Sequence, residues 1–295
     1  GNLSMKLTFS SLGNLALLAA LLLAPALSAQ QVSGPAGAVS WLTEAELATQ
    51  GPQIEQFWQQ QVVQGSFKGA AGLPLHFAYV KPAAAKASVV LIAGRTESVV
   101  KYQELFYDLS RQGYAVFAYD HRGQGLSGRM LADAQVGHVE DFQLYVDDLQ
   151  LFIQKMQPEF VGKPLALAHS MGGGILCRYL QQQPQHGLVA AIFCSPMWGI
   201  PTRPLPQSLA LPLSCGFALL NQLCSQRSWY VPGQGPYQER PFANNDLSQC
   251  FERYQWFRSL YRQFPAYQLG GISWRWLAQA LSACQLMQQD AVPAL

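Results

Sequence analysis

The chain has 295 residues, of which 49% are hydrophobic and 12% charged, and its formal net charge is +2. A chain this long and this apolar can bury one large core, which excludes an extended disordered protein. The near-neutral balance excludes the strong basic excess of a nucleic-acid binder. Six cysteines spread over the chain do not make a small disulfide scaffold, and no Cys-x-x-Cys or His-x-x-x-His spacing argues for a metal site. No metal and no cofactor is expected.

Met5-Lys6, an apolar run over 15–23 and the small residues Ala24-Pro25-Ala26-Leu27-Ser28-Ala29 read as a signal peptide over 1–29. The run is too short to span a bilayer. Export to the periplasm or out of the cell is therefore expected. Residues 30–199 read as the first part of an α/β core. A helix is predicted over 43–61 and a hairpin from 65–70 and 73–80 around Ala71-Gly72. A buried strand over 88–93 follows, then a helix over 102–112 closed by Gly113 and a strand over 114–119.

The clearest helix is 141–157, where Phe142, Tyr145, Val146, Leu149, Phe152 and Ile153 fall on one face. Pro158 and Pro164 bracket a loop. A short apolar strand over 164–167, a helix reaching about 183 and a strand over 188–194 complete the series. Strands alternating with helices imply a mostly parallel sheet with right-handed crossovers. Cys177 and Cys194 fall in apolar elements and are expected as buried thiols. Cys215, Cys224, Cys250 and Cys284 cluster later and could pair.

From 200 to 289 the pattern changes to helical segments dense in Trp, Tyr, Phe and Arg. Residues 201–289 carry seven arginines and no lysine against Glu239, Asp246 and Glu252. This block reads as a helical cap inserted between core strands. The segment 290–295 reads as the start of the next strand.

Gly123-Gln124-Gly125-Leu126-Ser127-Gly128 is a literal G-x-G-x-x-G after a strand. A dinucleotide site needs the helix to open at once, so that its N-terminus receives the pyrophosphate. Here a polar stretch runs to Glu140 first. The glycines are expected to let a loop turn sharply.

Ala168-His169-Ser170-Met171-Gly172-Gly173 lies between a strand and a helix. That is the arrangement of a nucleophile elbow, in which a tight turn lifts a serine hydroxyl above the sheet. The residues two before and two after the serine must be small, and Ala168 and Gly172 are. The same turn aims the Met171 N–H at the place where an oxyanion forms.

This stretch, together with Val89-Val90-Leu91-Ile92-Ala93-Gly94-Arg95-Thr96-Glu97-Ser98 and Tyr119-Asp120-His121-Arg122-Gly123-Gln124-Gly125-Leu126-Ser127-Gly128-Arg129, resembles the bacterial lysophospholipase branch of the α/β-hydrolases, related to the monoglyceride lipases. The resemblance runs from about Gly65 to the end. It implies Ser170 as nucleophile and an oxyanion hole made by the N–H groups of Met171 and Arg95. Ala93 stands where many relatives have His. Asp120 is expected to hold the Arg122 loop, and His76, His121, His138, His169 and His186 are expected in structural roles.

A serine hydrolase needs a base and a carboxylate that orients it, in the chain order Ser, acid, His in this fold. The acid would follow the strand after the cap. Ser195-Pro196-Met197-Trp198, the other place for it, offers none. The expectation is a C-terminally truncated chain with the triad acid and His absent, inactive alone although the full-length protein is an esterase.

The expected substrate is a lysophospholipid, cleaved through an acyl-enzyme on Ser170. The alternatives are a monoacylglycerol lipase or general carboxylesterase, and a non-catalytic lipid-binding homologue. Trp229, Tyr230, Trp256, Phe257, Trp274 and Trp276 could line an acyl tunnel. The arginine excess suits a phosphate head group or an anionic membrane surface, so peripheral membrane contact is a further expectation. The oligomeric state is left open.

Overall fold

A computed structural model of the chain describes residues 41–245 and 247–291. The signal peptide expected over 1–29 and most of the strand start expected over 290–295 lie outside the described residues. No helix among the described residues is long and apolar enough to cross a membrane.

Helix α1 (Glu44–Gln61) opens on a closed capping box. The Thr43 hydroxyl accepts from the Glu46 N–H, and the Glu46 carboxylate accepts from the Thr43 N–H. Strands β1 (Val63–Lys68) and β2 (Pro74–Val80) form the hairpin, turning at Ala71 and Gly72 with φ of 54° and 76°. Then come β3 (Ala87–Ile92), α2 (Gln103–Arg111), β4 (Tyr114–Tyr119), α3 (Gln143–Met156), β5 (Leu165–His169), α4 (Met171–Gln182) and β6 (Ala190–Cys194). The predicted helix over 102–112 is shorter than expected, because residues Val99–Tyr102 form a separate 3-10 turn.

The six strands make one sheet in the order β1-β2-β4-β3-β5-β6. The β1–β2 and β2–β4 pairs are antiparallel, and β4–β3, β3–β5 and β5–β6 are parallel. Strand alternation divides the core into two layers. Val90, Ile92, Phe117 and Tyr119 face α3 and α4. Val89, Leu91, Val116 and Ala118 face α1 and α2, where Trp58 meets Phe106 edge-on at 5.3 Å. Because β3 and β4 are covered on both faces, they read in sequence as unbroken apolar runs.

Beyond β6 the described chain is helical: α5 (Gln207–Cys224), α6 (Phe251–Gln263) and α7 (Trp274–Gln289). Trp276, Ala280 and Met287 of α7 share the core layer of α4. Tyr254, Phe257, Leu260 and Tyr261 of α6 form a separate cluster with Val100. All six cysteines are free thiols, so the pairing considered for the later four does not occur in this structure, and Cys194 is only half-buried.

One buried ion pair ties the catalytic-face loops to the scaffold. Arg122 Nε and Nη2 each lie 2.7 Å from the Asp148 carboxylate, which also accepts from the Ala70 N–H at 2.8 Å. Asp120, expected to hold the Arg122 loop, does so only through the backbone: it accepts from the Leu126 and Val99 N–H groups, while the Arg122 side chain goes to Asp148. Removing one partner of such a pair strands a charge in a dry site. Asp148→Ala should therefore cost about 3–5 kcal/mol of stability, read as a lowered midpoint of chemical denaturation.

Candidate active site

Ser170 ends β5 and opens α4 with φ 51° and ψ −118°, a conformation that costs strain in any residue but glycine. The strain is held by backbone bonds on both sides. The Ser170 N–H donates to the Cys194 carbonyl at 3.1 Å, and the Ser170 carbonyl accepts from Gly173 and Met197 at 2.9 Å each. Ala168 is buried, and a Cβ on Gly172 would lie 2.3 Å from the Ile92 carbonyl oxygen and 2.5 Å from that of Ala93. The helix thus approaches β3 more closely than any side chain would allow. The serine side is half-exposed, and the sharp kink expected between strand and helix is present.

The loop 94–98 faces this turn and is fastened at nearly every polar atom. Gly94 N–H donates to the Glu97 carboxylate at 2.5 Å. Gln124 donates to the carbonyls of Gly94 and Glu97 and accepts from the Thr96 N–H. The Tyr261 hydroxyl accepts from Ser98 N–H and donates to the Thr96 carbonyl, each at 3.1 Å. Thr96 is held at φ 62°. Among the described residues, the Arg95 N–H and the Met171 N–H donate to no protein acceptor. Two free donors, one on a rigid loop and one at a helix N-terminus where the dipole favours negative charge, can stabilise an oxyanion.

Glu97 is buried beside the Ser170 turn and was not singled out in the sequence. It accepts from Tyr102 Oη and Lys101 Nζ at 2.5 Å and from His169 Nδ1 at 3.0 Å. Burial alone would raise its pKa, but Lys101 and His169 overcome it and hold the carboxyl well below the usual range. His169, next to Ser170, is therefore bonded to Glu97. The short spacing Gly94-x-x-Glu97 was the available signal.

The other histidines are also engaged elsewhere. His76 Nδ1 donates to Asp120 at 3.1 Å, His121 Nε2 to the Ala93 carbonyl at 2.8 Å, and His138 Nε2 to Glu140 at 2.9 Å, while His186 Nδ1 accepts from the Leu188 N–H at 3.1 Å. No hydrogen bond joins Ser170 Oγ to any of the five among the described residues. The glycine-rich loop turns sharply as expected. Gly125 has φ 51°, and a Cβ there would lie 2.2 Å from Asp120 Oδ2.

Three of the aromatic residues of the expected tunnel pack in separate surroundings. Trp276 is buried with its Nε1–H toward Tyr145, Trp256 packs over Gly51 of α1, and Trp274 stacks on Phe217 at 4.5 Å. A cavity of about 310 Å³ between α5 and α7 is lined by Gln207, Leu211, Leu281, Cys284, Gln285 and Gln288, without Ser170. Glu44, Cys250 and Glu252 bring possible ligand atoms within 4.8 Å, but the Arg253 guanidinium lies 3.5 Å from Glu44 and its charge opposes a cation there.

His121 makes the site pH-sensitive. Burial, only partly opposed by the Ala93 bond and by Asp120 and Glu97, pushes its pKa down from 6.5 to about 4. Between those values the unfolded chain binds the proton and the folded one does not, so stability falls as the pH drops through that window. This group should contribute roughly 3 kcal/mol to the loss. The stability–pH curve of His121→Asn, measured by denaturation from pH 7 to 4, should be correspondingly flatter.

A family profile described as "Serine aminopeptidase, S33" (Hydrolase_4) matches residues 83–293. Lysophospholipase L2 of Escherichia coli strain K12 is 37% identical over 256 residues, covering 84% of this chain and 72% of that protein. Monoglyceride lipase of Rattus norvegicus is 33% identical over 119 residues, covering 40% of this chain and 38% of that protein. Among solved structures, a soluble variant of monoglyceride lipase from Saccharomyces cerevisiae in complex with a substrate analogue superposes with a TM-score of 0.54 at 18% identity, covering 76% of this chain and 69% of that one. That likeness is one of fold. With the elbow, the sheet order and the match over most of its length, the chain belongs to the Hydrolase_4 family of α/β-hydrolases.

Proposed function

We propose that the protein is a lipid ester hydrolase that cleaves a lysophospholipid through an acyl-enzyme on Ser170. The observation that carries the reading is the strained turn at Ser170, beside which the N–H groups of Met171 and Arg95 make no protein hydrogen bond among the described residues. In this mechanism the Ser170 hydroxyl attacks the acyl carbonyl. The Met171 and Arg95 N–H groups receive the developing oxyanion, the acyl C–O bond breaks so that the glycerophosphate-bearing alcohol leaves with the proton the serine gave up, and water cleaves the acyl-enzyme to release the fatty acid and restore the Ser170 hydroxyl. The similarity to lysophospholipase L2 supports the substrate class. Cleavage of monoacylglycerols is the second reading, supported by the shorter match to monoglyceride lipase.

In this reading the helices over 200–289 roof the serine as a cap, and the protein works after export, in the periplasm or outside the cell. Peripheral membrane contact is supported by α5, which has no charged residue and exposes Leu209, Leu213, Phe217, Leu220 and Leu223 along one side. Leu213→Glu with Leu220→Glu should weaken sedimentation with anionic phospholipid vesicles several-fold.

Turnover needs a base at Ser170, and among the described residues none of the five histidines hydrogen-bonds its hydroxyl. The protein should therefore hydrolyse esters slowly, with roughly the 10³–10⁴-fold over water that a hole and binding provide. The same observation favours a non-catalytic lipid binder. Added imidazole separates the two. A base from solution should raise hydrolysis of lysophosphatidylcholine by the wild type and not by Ser170→Ala. An imidazole response equal in both proteins would refute Ser170 as nucleophile. Comparing lysophosphatidyl with monoacylglycerol esters under the same rescue ranks the substrates.

A further inference from the structure

Arg95 places two different groups at the site. Its N–H is one of the two donors near the Ser170 turn that make no protein hydrogen bond among the described residues. Its guanidinium turns back against the 270–276 segment, where Nη1 donates to the Gly270 carbonyl at 3.0 Å and the group lies 5.8 Å from the Trp276 ring.

Arg95 lacks a counter-charge, as do Arg129, Arg203, Arg227, Arg240 and Arg258 among the described residues, but of these it is the one in the loop beside the Ser170 turn. Arg122, Arg178, Arg253, Arg262 and Arg275 each meet a carboxylate within 4 Å, whereas Arg95 meets none among the described residues. Glu97, the nearest acid in sequence, is taken up by Lys101, Tyr102, His169 and the Gly94 N–H. The side chain is half-buried, and burial lowers the affinity of the guanidinium for its proton, opposed only by Tyr145. Its remaining N–H groups are not among the sealed, unpartnered polar atoms, so they open toward accessible space. A partly desolvated guanidinium with free donors is costly unless an anion completes it, and its planar fork matches two oxygens of a phosphate.

The connectivity of the substrate fits this placement. In a lysophospholipid the phosphate lies one glycerol backbone away from the scissile ester. In Arg95 one side chain separates the N–H that meets the ester oxygen from the guanidinium. Resting on the proposed lipid-ester reading, we infer that the Arg95 side chain is the phosphate-binding subsite that makes the protein prefer lysophospholipids over monoacylglycerols. A monoacylglycerol offers no anion there and leaves the guanidinium unpaired.

The test reads binding, so it needs no turnover. Calorimetry would compare a decyl ether of glycerophosphocholine with a decyl ether of glycerol, both below the concentration at which they form micelles. The wild type should prefer the phosphodiester by about tenfold or more, the scale of a charge-assisted pair. Arg95→Leu should bring the ratio of affinities close to one, and Arg95→Gln should do the same if the leucine variant does not fold. A wild-type ratio near one, or a ratio kept by both variants, overturns the assignment while leaving a lipid-binding site standing. Failure of the wild type to bind either ether overturns the lipid reading itself and this inference with it.

Discussion

The active face depends on one close approach, that of the first turn of α4 to the end of β3. Gly172 lies so near the Ile92 and Ala93 carbonyls that a methyl group would overlap their oxygens. With the helix pressed there, the chain between β5 and α4 has no room for an ordinary turn, and Ser170 takes the strained conformation that projects its side chain. The same approach brings the N-terminus of α4 alongside the loop that leaves β3. Local strain at one residue is stabilised by the packing of a whole layer, in which Met171, Ile175 and Leu176 are fully buried.

The loop on the other side of the serine is held differently. Its conformation comes from side chains reaching in from distant elements: Gln124 from the glycine-rich loop, Tyr261 from α6, and His169 through Glu97. Satisfying the other donors leaves the Arg95 N–H over, and rigidity there means that little reorganisation is needed when charge develops. The buried Glu97 is central to this. Its charge, stabilised by Lys101 and His169, fixes the Gly94 N–H and thereby the start of the loop. The G-x-G-x-x-G stretch serves the same end, with Gly125 packed against Asp120 in a turn that no larger residue could make.

Much of the core was legible in the sequence because its signals are local. Alternation and unbroken apolar runs located the strands, and the one-sided apolar face of α3 located that helix to within two residues. The elbow was legible because small residues are required at fixed offsets from the serine. Less legible were contacts between residues far apart along the chain. Asp120 was expected to hold the Arg122 loop and bonds its Leu126 N–H, but the partner of the Arg122 side chain, Asp148 on α3, was not foreseen. Glu97 was passed over because its partner His169 lies in another strand. The aromatic residues of 229–276 were grouped by composition, yet packing distributes them among α1, the core layer and the surface.

The amino-acid sequence by itself determined the order of strands and helices, the serine at its turn and the family of the chain, since each follows from short-range sterics and periodic burial. Only the tertiary structure decided which donors stay free, which charges are compensated and where each histidine is spent. Those outcomes depend on which polar groups meet once the sheet has closed, and a hydrogen bond formed there fixes where a group points and which partners stay within its reach.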